Sequence, residues 1–455
     1  MKGLEISEVR YSEVLKSLYV RFDAEYQKKE FRKRLEILRN ISKPLSYFLV
    51  DGTYGILPKS EDYLQNGLPL LRGVDVRSID FDTKNLVKVP YDYYQEKFAI
   101  KKGDIFILVK GATIDYSDGV LLIDKDVSKA IFNGSCFRLR LQNNINRYYL
   151  YVFMQSKYFT FQKILAVANN GIEYNSLESI KNYQIPILPN SFQLKIEEIV
   201  ITAHDKLEQS KLLYKQAEEL LLEELGLKDW TPMNEQTSIK TLNESFLSSG
   251  RLDAEYYQKK YDEIEEKIKR FETIELGKIV SITKSIEPGS EAYKNEGTPF
   301  VRVSDLSKYE ISKPDIYLDK AYIQDYLLPK KNTILLSKDG TVGIAYKVDE
   351  DLNVITSGAL LHLRIRNNID ILPDYLTLIL NSSVVSLQAE KDAGGSIIQH
   401  WKPSEIEKVI IPILNKETQQ TISDKIQESF HLRKESKDLL KQAVKMVEDE
   451  IEKGL

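Results

Sequence analysis

Two stretches of the chain carry an apolar seam whose positions alternate at spacings of four and three residues. The first passes through Ile196, Val200, Ala203, Leu207, Ser210, Tyr214, Ala217 and Leu221, the second through Ile422, Ile426, Ser429, Arg433, Ser436, Leu440, Ala443 and Val447. Every position of the second follows its counterpart at one constant displacement, and both stretches contain Lys-Gln-Ala, at Lys215-Gln216-Ala217 and Lys441-Gln442-Ala443. This spacing lines one face of an α-helix, so it predicts helices over residues 192–227 and 419–452. At 1.5 Å per residue the first would extend roughly 50 Å, more than a small domain requires. The matching seams predict that the two pack on each other, antiparallel, with Ser210, Arg433 and Ser436 as polar or small interruptions.

Ahead of each rod, short apolar runs bounded by Gly and Pro predict strands. They recur in the same order at nearly constant displacement. Arg21-Phe22-Asp23-Ala24-Glu25-Tyr26 opens a helix expected to continue through Leu38, and Arg251-Leu252-Asp253-Ala254-Glu255-Tyr256 opens another expected to reach Phe271. At the same displacement, Leu68-Pro69-Leu70-Leu71-Arg72-Gly73-Val74-Asp75 is matched by Thr298-Pro299-Phe300-Val301-Arg302-Val303-Ser304-Asp305. Ile105-Phe106-Ile107-Leu108 precedes Lys110-Gly111-Ala112-Thr113-Ile114 as Ile334-Leu335-Leu336 precedes Lys338-Asp339-Gly340-Thr341-Val342. Phe132-Asn133-Gly134-Ser135 parallels Thr356-Ser357-Gly358-Ala359, and Ile185-Pro186-Ile187-Leu188 returns as Ile411-Pro412-Ile413-Leu414 before the second rod. Residues 148–165 and 373–391 read as helical, each followed by a glycine loop, at Asn170-Gly171 and Gly394-Gly395. The chain is therefore expected to be a tandem duplication of mixed α/β (α+β) class: two pseudo-repeated globular domains separated by two long antiparallel helices. The expected boundaries are an N-terminal helical region (1–43), a first globular domain (44–187), and a central helical region with rod, connector and opening helix (188–271). A second globular domain (272–411) and a C-terminal rod (412–455) follow.

Composition changes this picture little. With 455 residues, 42% hydrophobic and 29% charged, the chain can bury two to four ordinary cores. The single cysteine, Cys136, leaves no intrachain disulfide framework, and no apolar run has membrane-spanning length, so the expected location is cytoplasmic, with no membrane partner. A net charge of -4 argues against a general nucleic-acid coat but permits a local binding face. Many of the acids, such as Glu218-Glu219 and Glu223-Glu224, fall on helical segments; setting these aside leaves the first globular region weakly basic and the second weakly acidic.

The paired Asp-Ala-Glu-Tyr openings, the Leu-Pro and Thr-Pro strand entries, Gly103-Asp104-Ile105, Asp339-Gly340-Thr341-Val342-Gly343 and the two Ile-Pro-Ile-Leu exits together resemble a specificity (S) subunit of a type I restriction-modification system. The resemblance covers nearly the whole chain. It implies two target-recognition domains, each reading one half of a bipartite asymmetric DNA sequence, and helices that scaffold methyltransferase and restriction subunits. It implies double-stranded DNA and two DNA adenine methyltransferase subunits as partners, with restriction/translocase subunits beside them. S-adenosylmethionine would then belong to the methyltransferase, and ATP and magnesium to any restriction motor. The two copies differ at the family's landmarks: Gln419-Gln420 opens the second rod where the first has Gln193-Leu194, and Glu275-Leu276-Gly277 stands where the first copy has Leu45-Ser46-Tyr47. A specificity protein serving a fused methyltransferase-nuclease is an alternative within the same chemistry, and a tandem protein-binding adaptor one outside it.

Catalytic motifs are missing from the chain. It has no cofactor loop with an Asn/Asp-Pro-Pro-aromatic motif, and Lys101-Lys102-Gly103-Asp104 lacks the Gly-x4-Gly-Lys-Ser/Thr spacing of an ATP-binding loop. His204, His362, His400 and His431 have no metal-ligand spacing, and Cys136 has no histidine close by. No catalytic, cofactor or metal residue is therefore assigned. DNA recognition needs Arg and Lys for phosphate or guanine and Asn for adenine, held on a rigid frame. The ends of the predicted strands supply Arg72, Lys110, Asn133 and Arg138 in the first domain, and Arg302, Lys338, Ser357 and Arg364 in the second. Tyr174, Asn175, Gln399 and His400 lie in comparable loops; Tyr91, Tyr93, Tyr94, Tyr322 and Tyr326 are assigned to packing.

Overall fold

The protein is described by a computed structural model, apart from residues 1–7, 16–26, 78–80, 112–118, 169–173, 234, 236, 323, 394–398 and 454–455. The first repeat opening at Arg21 to Tyr26, Ala112 to Ile114, and the glycine loops at Asn170-Gly171 and Gly394-Gly395 lie outside the described residues. Two compact units result, one formed by Met1–Leu207 with Lys434–Leu455, the other by Glu208–Arg433.

Both long helices form, Asn190–Glu224 and Lys416–Lys453, and each contributes to both units. All sixteen seam residues are at most 6% exposed. In the first unit Ile196, Val200 and Ala203 share a core with Leu440, Ala443 and Val447; in the second, Tyr214, Ala217 and Leu221 share one with Ile422 and Ile426. The start of one helix thus meets the end of the other, as antiparallel pairing requires. Cross-helix bonds in the second unit run the same way, from Ser210 with Ser429 to Gln216 with Lys425. Burying a polar group costs free energy unless it is paired, and the interruptions in this unit are paired. Ser429 Oγ donates to the Ser210 carbonyl at 2.7 Å, and the Arg433 guanidinium lies 4.2 Å from the Tyr309 ring centroid.

Each unit also holds a four-stranded antiparallel sheet. In the first its order is Leu49–Tyr54, Cys136–Leu141, Ile105–Leu108, Val120–Leu122; in the second it is Val280–Lys284, Leu360–Ile365, Ile334–Ser337, Ala345–Lys347. The register is common to both: Ile105 faces Leu139 and Leu122, as Ile334 faces Leu363 and Lys347. Of the inner strands, Ile105–Leu108 and Ile334–Ser337 are buried at every position, which is why they read as unbroken apolar runs rather than alternating ones. A three-stranded sheet lies alongside, built from Val87–Val89, Leu68–Leu71 and Ile131–Phe132, or from Tyr317–Leu318, Thr298–Val301 and Ile355–Thr356, with the last pairing parallel in both.

The single helices expected over 148–165 and 373–391 are each two: Arg147–Phe153 with Lys157–Leu165, and Pro373–Leu380 with Ser383–Ala393. A serine hydroxyl makes the break. Ser156 Oγ donates to the Phe153 carbonyl at 2.6 Å and Ser382 Oγ to Ile379 at 2.7 Å, taking acceptors that a continuing helix would use. The second repeat opening is likewise not one helix: a single 3-10 turn, Ala254–Tyr257, precedes the helix Lys259–Ile268, and Asp253 holds Arg251.

The joint between globular part and rod is the same in both copies. Tyr149 donates its hydroxyl to the Pro186 carbonyl at 2.8 Å, and Tyr375 to Pro412 at 2.7 Å. Gln193 accepts from the Asn146 amide and donates to the Leu188 carbonyl, as Gln419 accepts from Leu372 and donates to Leu414. The contrast between Gln193-Leu194 and Gln419-Gln420 therefore leaves the structural glutamine in place; only its neighbour differs, and Leu194 is exposed.

Candidate nucleic-acid interface

One end of the four-stranded sheet in each unit gathers three of the four residues assigned to it. In the first unit the inner strand leaves the core at Val109-Lys110, where Val109 donates its N–H to the Ser135 carbonyl and Asn133 donates its N–H to Leu71. Lys110, Asn133 and Arg72 thereby reach the same end. The Lys110 ammonium lies 5.9 Å from the Tyr54 ring, and the Tyr54 hydroxyl donates to the Asn175 carbonyl at 2.7 Å. Burial, with Tyr174 adding to it, raises the Tyr54 phenol to about 12. Asn133 Oδ1 accepts from the Ser135 amide at 3.1 Å, which fixes the turn. Arg72 donates from its backbone N–H and its Nε to Asp75, so part of its charge is already used.

The second unit repeats the frame, keeping the arginine and replacing Asn133 by Ser357. Arg302 donates its N–H to Asp305, and Ser357 donates its N–H to the Val301 carbonyl, the positions of Arg72 and Asn133. Lys338 pairs with Asp339, whose other oxygen meets His400 Nδ1 at 2.9 Å, and Gly340 pairs with Gln399 across a short ladder. Burial works to raise the Asp339 carboxyl, but the Lys338 and His400 bonds prevail and hold it below the usual carboxylate value. His400 is 67% exposed, while Lys338 keeps only a small part of its side chain in solvent.

Arg138 and Arg364 are not part of these groups. Arg138 is 1% exposed and donates to the carbonyls of Lys97 and Ala99, at 2.8 and 3.0 Å, and to Asp51. Burial is the main influence on its guanidinium and lowers its pKa, with Arg140 adding to the effect. Its assignment to a DNA-facing strand end is corrected: it cross-links the sheet interior. At this strand the repeat aligns Phe132 with Thr356, so the counterpart of Arg138 is His362, which is also buried and meets Thr356 Oγ1 at 2.8 Å. Arg364 corresponds to Arg140 and lies at the opposite end of its sheet, paired with Ser281 across the ladder. There it joins Lys330 and Lys331, as Arg140 joins Lys101 and Lys102. The sequence reading missed both lysine pairs, although Lys-Lys shortly before the inner strand is present in each repeat.

Among the tyrosines assigned to packing, Tyr93 and Tyr94 do pack on the Leu68, Leu70 and Val89 cluster while bonding Asp62 and Glu96. Tyr91 and Tyr326 are instead exposed. Among the described residues no group of His, Cys, Asp and Glu is placed to hold a metal ion, and no helix is long and apolar enough to cross a membrane.

A family model described as "Type I restriction modification DNA specificity domain" matches residues 268–442. A search of curated proteins finds no match. Solved structures similar to the chain include a type I restriction-modification system S subunit from M. genitalium, 15% identical, covering 91% of this chain and 96% of that one with a TM-score of 0.39. The HsdS subunit from Thermoanaerobacter tengcongensis is 13% identical over 91% of this chain and 97% of that one, with a TM-score of 0.29. The type IIG restriction endonuclease BpuSI is 11% identical over 40% and 33%, also at 0.29. The matched segment holds the second sheet and its joint to the rod, and the first unit repeats that sheet strand for strand in the same register. Residues 268–442 are thus similar to the DNA specificity domain of type I restriction-modification systems.

Proposed function

We propose that this chain is a non-catalytic DNA-recognition subunit in which each unit reads one half of a bipartite, asymmetric target. One observation carries the reading: the same backbone frame recurs at the sheet end of both units with different hydrogen-bonding groups on it. Asn133 and Lys110 stand in one, Ser357, Lys338 and His400 in the other. A fixed frame with exchanged donors and acceptors is what reading two unlike base sequences requires. Arg72, Lys110 and Asn133 are the proposed contacts of the first unit, and Arg302, Lys338 and Ser357 those of the second, with His400 beside them.

Methyl transfer and cleavage belong to partner subunits in this reading. Two methyltransferase subunits, carrying S-adenosylmethionine, would dock on the paired helices, and a restriction subunit would bring ATP and magnesium; the assembly would work in the cytoplasm. The test is to exchange residues 44–187 for those of a relative with another target, assemble the methyltransferase and map methylation on a random DNA library. One half of the recognised sequence should change while the other is retained. A change in both halves, or methylation without sequence preference, would reject the reading.

A further inference from the structure

Each unit has a cavity at the end of its four-stranded sheet away from the residues proposed to read bases. In the first unit it measures about 390 Å³ and is lined by Lys101, Lys102, Gly103, Arg140 and Arg147 among others; in the second it measures about 300 Å³ and is lined by Lys330, Lys331, Thr333 and Arg364 among others. These are equivalent positions, since Lys330-Lys331 stands to Ile334 as Lys101-Lys102 stands to Ile105. The turn beneath the lysines has a left-handed residue in both, Gly103 at φ 92° and Asn332 at φ 64°. Asn332 is the one non-glycine with positive φ among the described residues, so the second copy keeps this turn at a conformational cost that glycine would avoid.

The charges in these cavities are only partly answered. Arg140 is held by Asp104 at 2.7 Å and Lys101 by Glu96 at 2.5 Å, while Asp351 takes Lys330 at 3.3 Å and the Lys331 amide at 2.9 Å. Cations still outnumber these carboxylates by two in each cavity. The second cavity has a further feature. Thr333 is 1% exposed, and its Oγ1 has no hydrogen-bond partner. A buried hydroxyl without a partner is costly, and an oxyanion would accept a hydrogen bond from it.

We propose that each cavity binds a phosphate group. In the second, Arg364 offers a planar fork, Lys331 a point charge and Thr333 a neutral donor, a set suited to a tetrahedral oxyanion. The phosphate has two possible sources, a DNA backbone diester or free phosphate. The first rests on the function proposed above and the second does not, so the two fail separately.

The full chain, titrated with inorganic phosphate and followed by calorimetry and by phosphorus NMR, should bind it saturably. Lys331→Glu and Lys102→Glu change exposed side chains, and each should weaken one site at least tenfold; Thr333→Val should weaken the second site while preserving side-chain shape. In the complex assembled with its methyltransferase, a DNA source predicts that each lysine reversal lowers the slope of log K against log salt by about one, with the mapped sequence unchanged. Phosphate binding with an unaltered slope assigns the cavities to free phosphate. Absence of saturable phosphate binding, or an equal loss with Lys59→Glu, an exposed lysine outside both cavities, overturns the proposal. Saturable phosphate binding by an assembly with no sequence preference would instead reject the proposed function and leave the cavities standing.

Discussion

Arg138 and His362 occupy the same place in the two sheets and serve it with different chemistry. Arg138 satisfies two carbonyls and a carboxylate from inside the sheet. Removing one partner of a buried charged network leaves the others desolvated, so Arg138→Ala should cost about 3 kcal/mol, read by denaturant unfolding. His362 is held at about 4, below its ordinary 6.5, by burial first and by Arg364 second. Between those values the unfolded chain binds a proton that the folded chain refuses. The stability is therefore present in full above pH 6.5 and declines as pH falls toward 4, by on the order of 3 kcal/mol. His362→Gln keeps a donor for Thr356 and removes the titration. Measured between pH 7 and 4.5, its unfolding free energy should lose this dependence relative to the parent; an unchanged difference between the two would refute the account. Neither role was legible locally. The carbonyls that bind Arg138 lie far back in the chain, at Lys97 and Ala99, and the repeat shortens between the strand entries and this strand, which hides that its counterpart is His362 rather than Arg364.

The rods were the most legible elements because four-three spacing is a local signal, and every seam position it named is buried. Leu207 and Leu440 lie within that seam, at 4% and 6% exposure. Leu207→Ala or Leu440→Ala should each cost about 2–4 kcal/mol through lost burial and an unfilled cavity. Thermal unfolding would check it, and a loss under about 0.5 kcal/mol, the range of an ordinary surface substitution, would mean that the helices do not pack as described. At the joints, Gln193→Ala and Gln419→Ala each leave a buried amide and carbonyl unpaired and should each cost about 1–3 kcal/mol. Comparable losses are expected because the two joints share one geometry. The broken helices were less legible. A serine reads equally well as a surface residue within a helix, and only its bond to the carbonyl three residues earlier shows that the helix stops. The basic cavities were legible in principle, since their lysines repeat in step with the inner strands.

At the scale of the molecule, both long helices pass through both units. If they set the unread centre of the target, lengthening both by one seam repeat of seven residues, inserted opposite each other, adds about 10 Å. The preferred centre should then grow by about three base pairs at 3.4 Å each, while both half-sites stay the same. Methylation mapping on random DNA reads this directly, and an unchanged centre would detach the helices from target geometry.

The sharing of the rods also bears on the order in which the protein is made. Glu208–Arg433 is one continuous piece of chain, whereas the other unit joins Met1–Leu207 to Lys434–Leu455. Leu440, Ala443, Val447 and Ile451 enter the core of residues synthesised long before them. Domains usually complete themselves from the N-terminus as they emerge, and closing so long a loop is slow. Here the sequence is reversed: the later-encoded unit has all its core residues first, and the earlier one waits, with one side of its first rod uncovered, until the residues after Arg433 have been made.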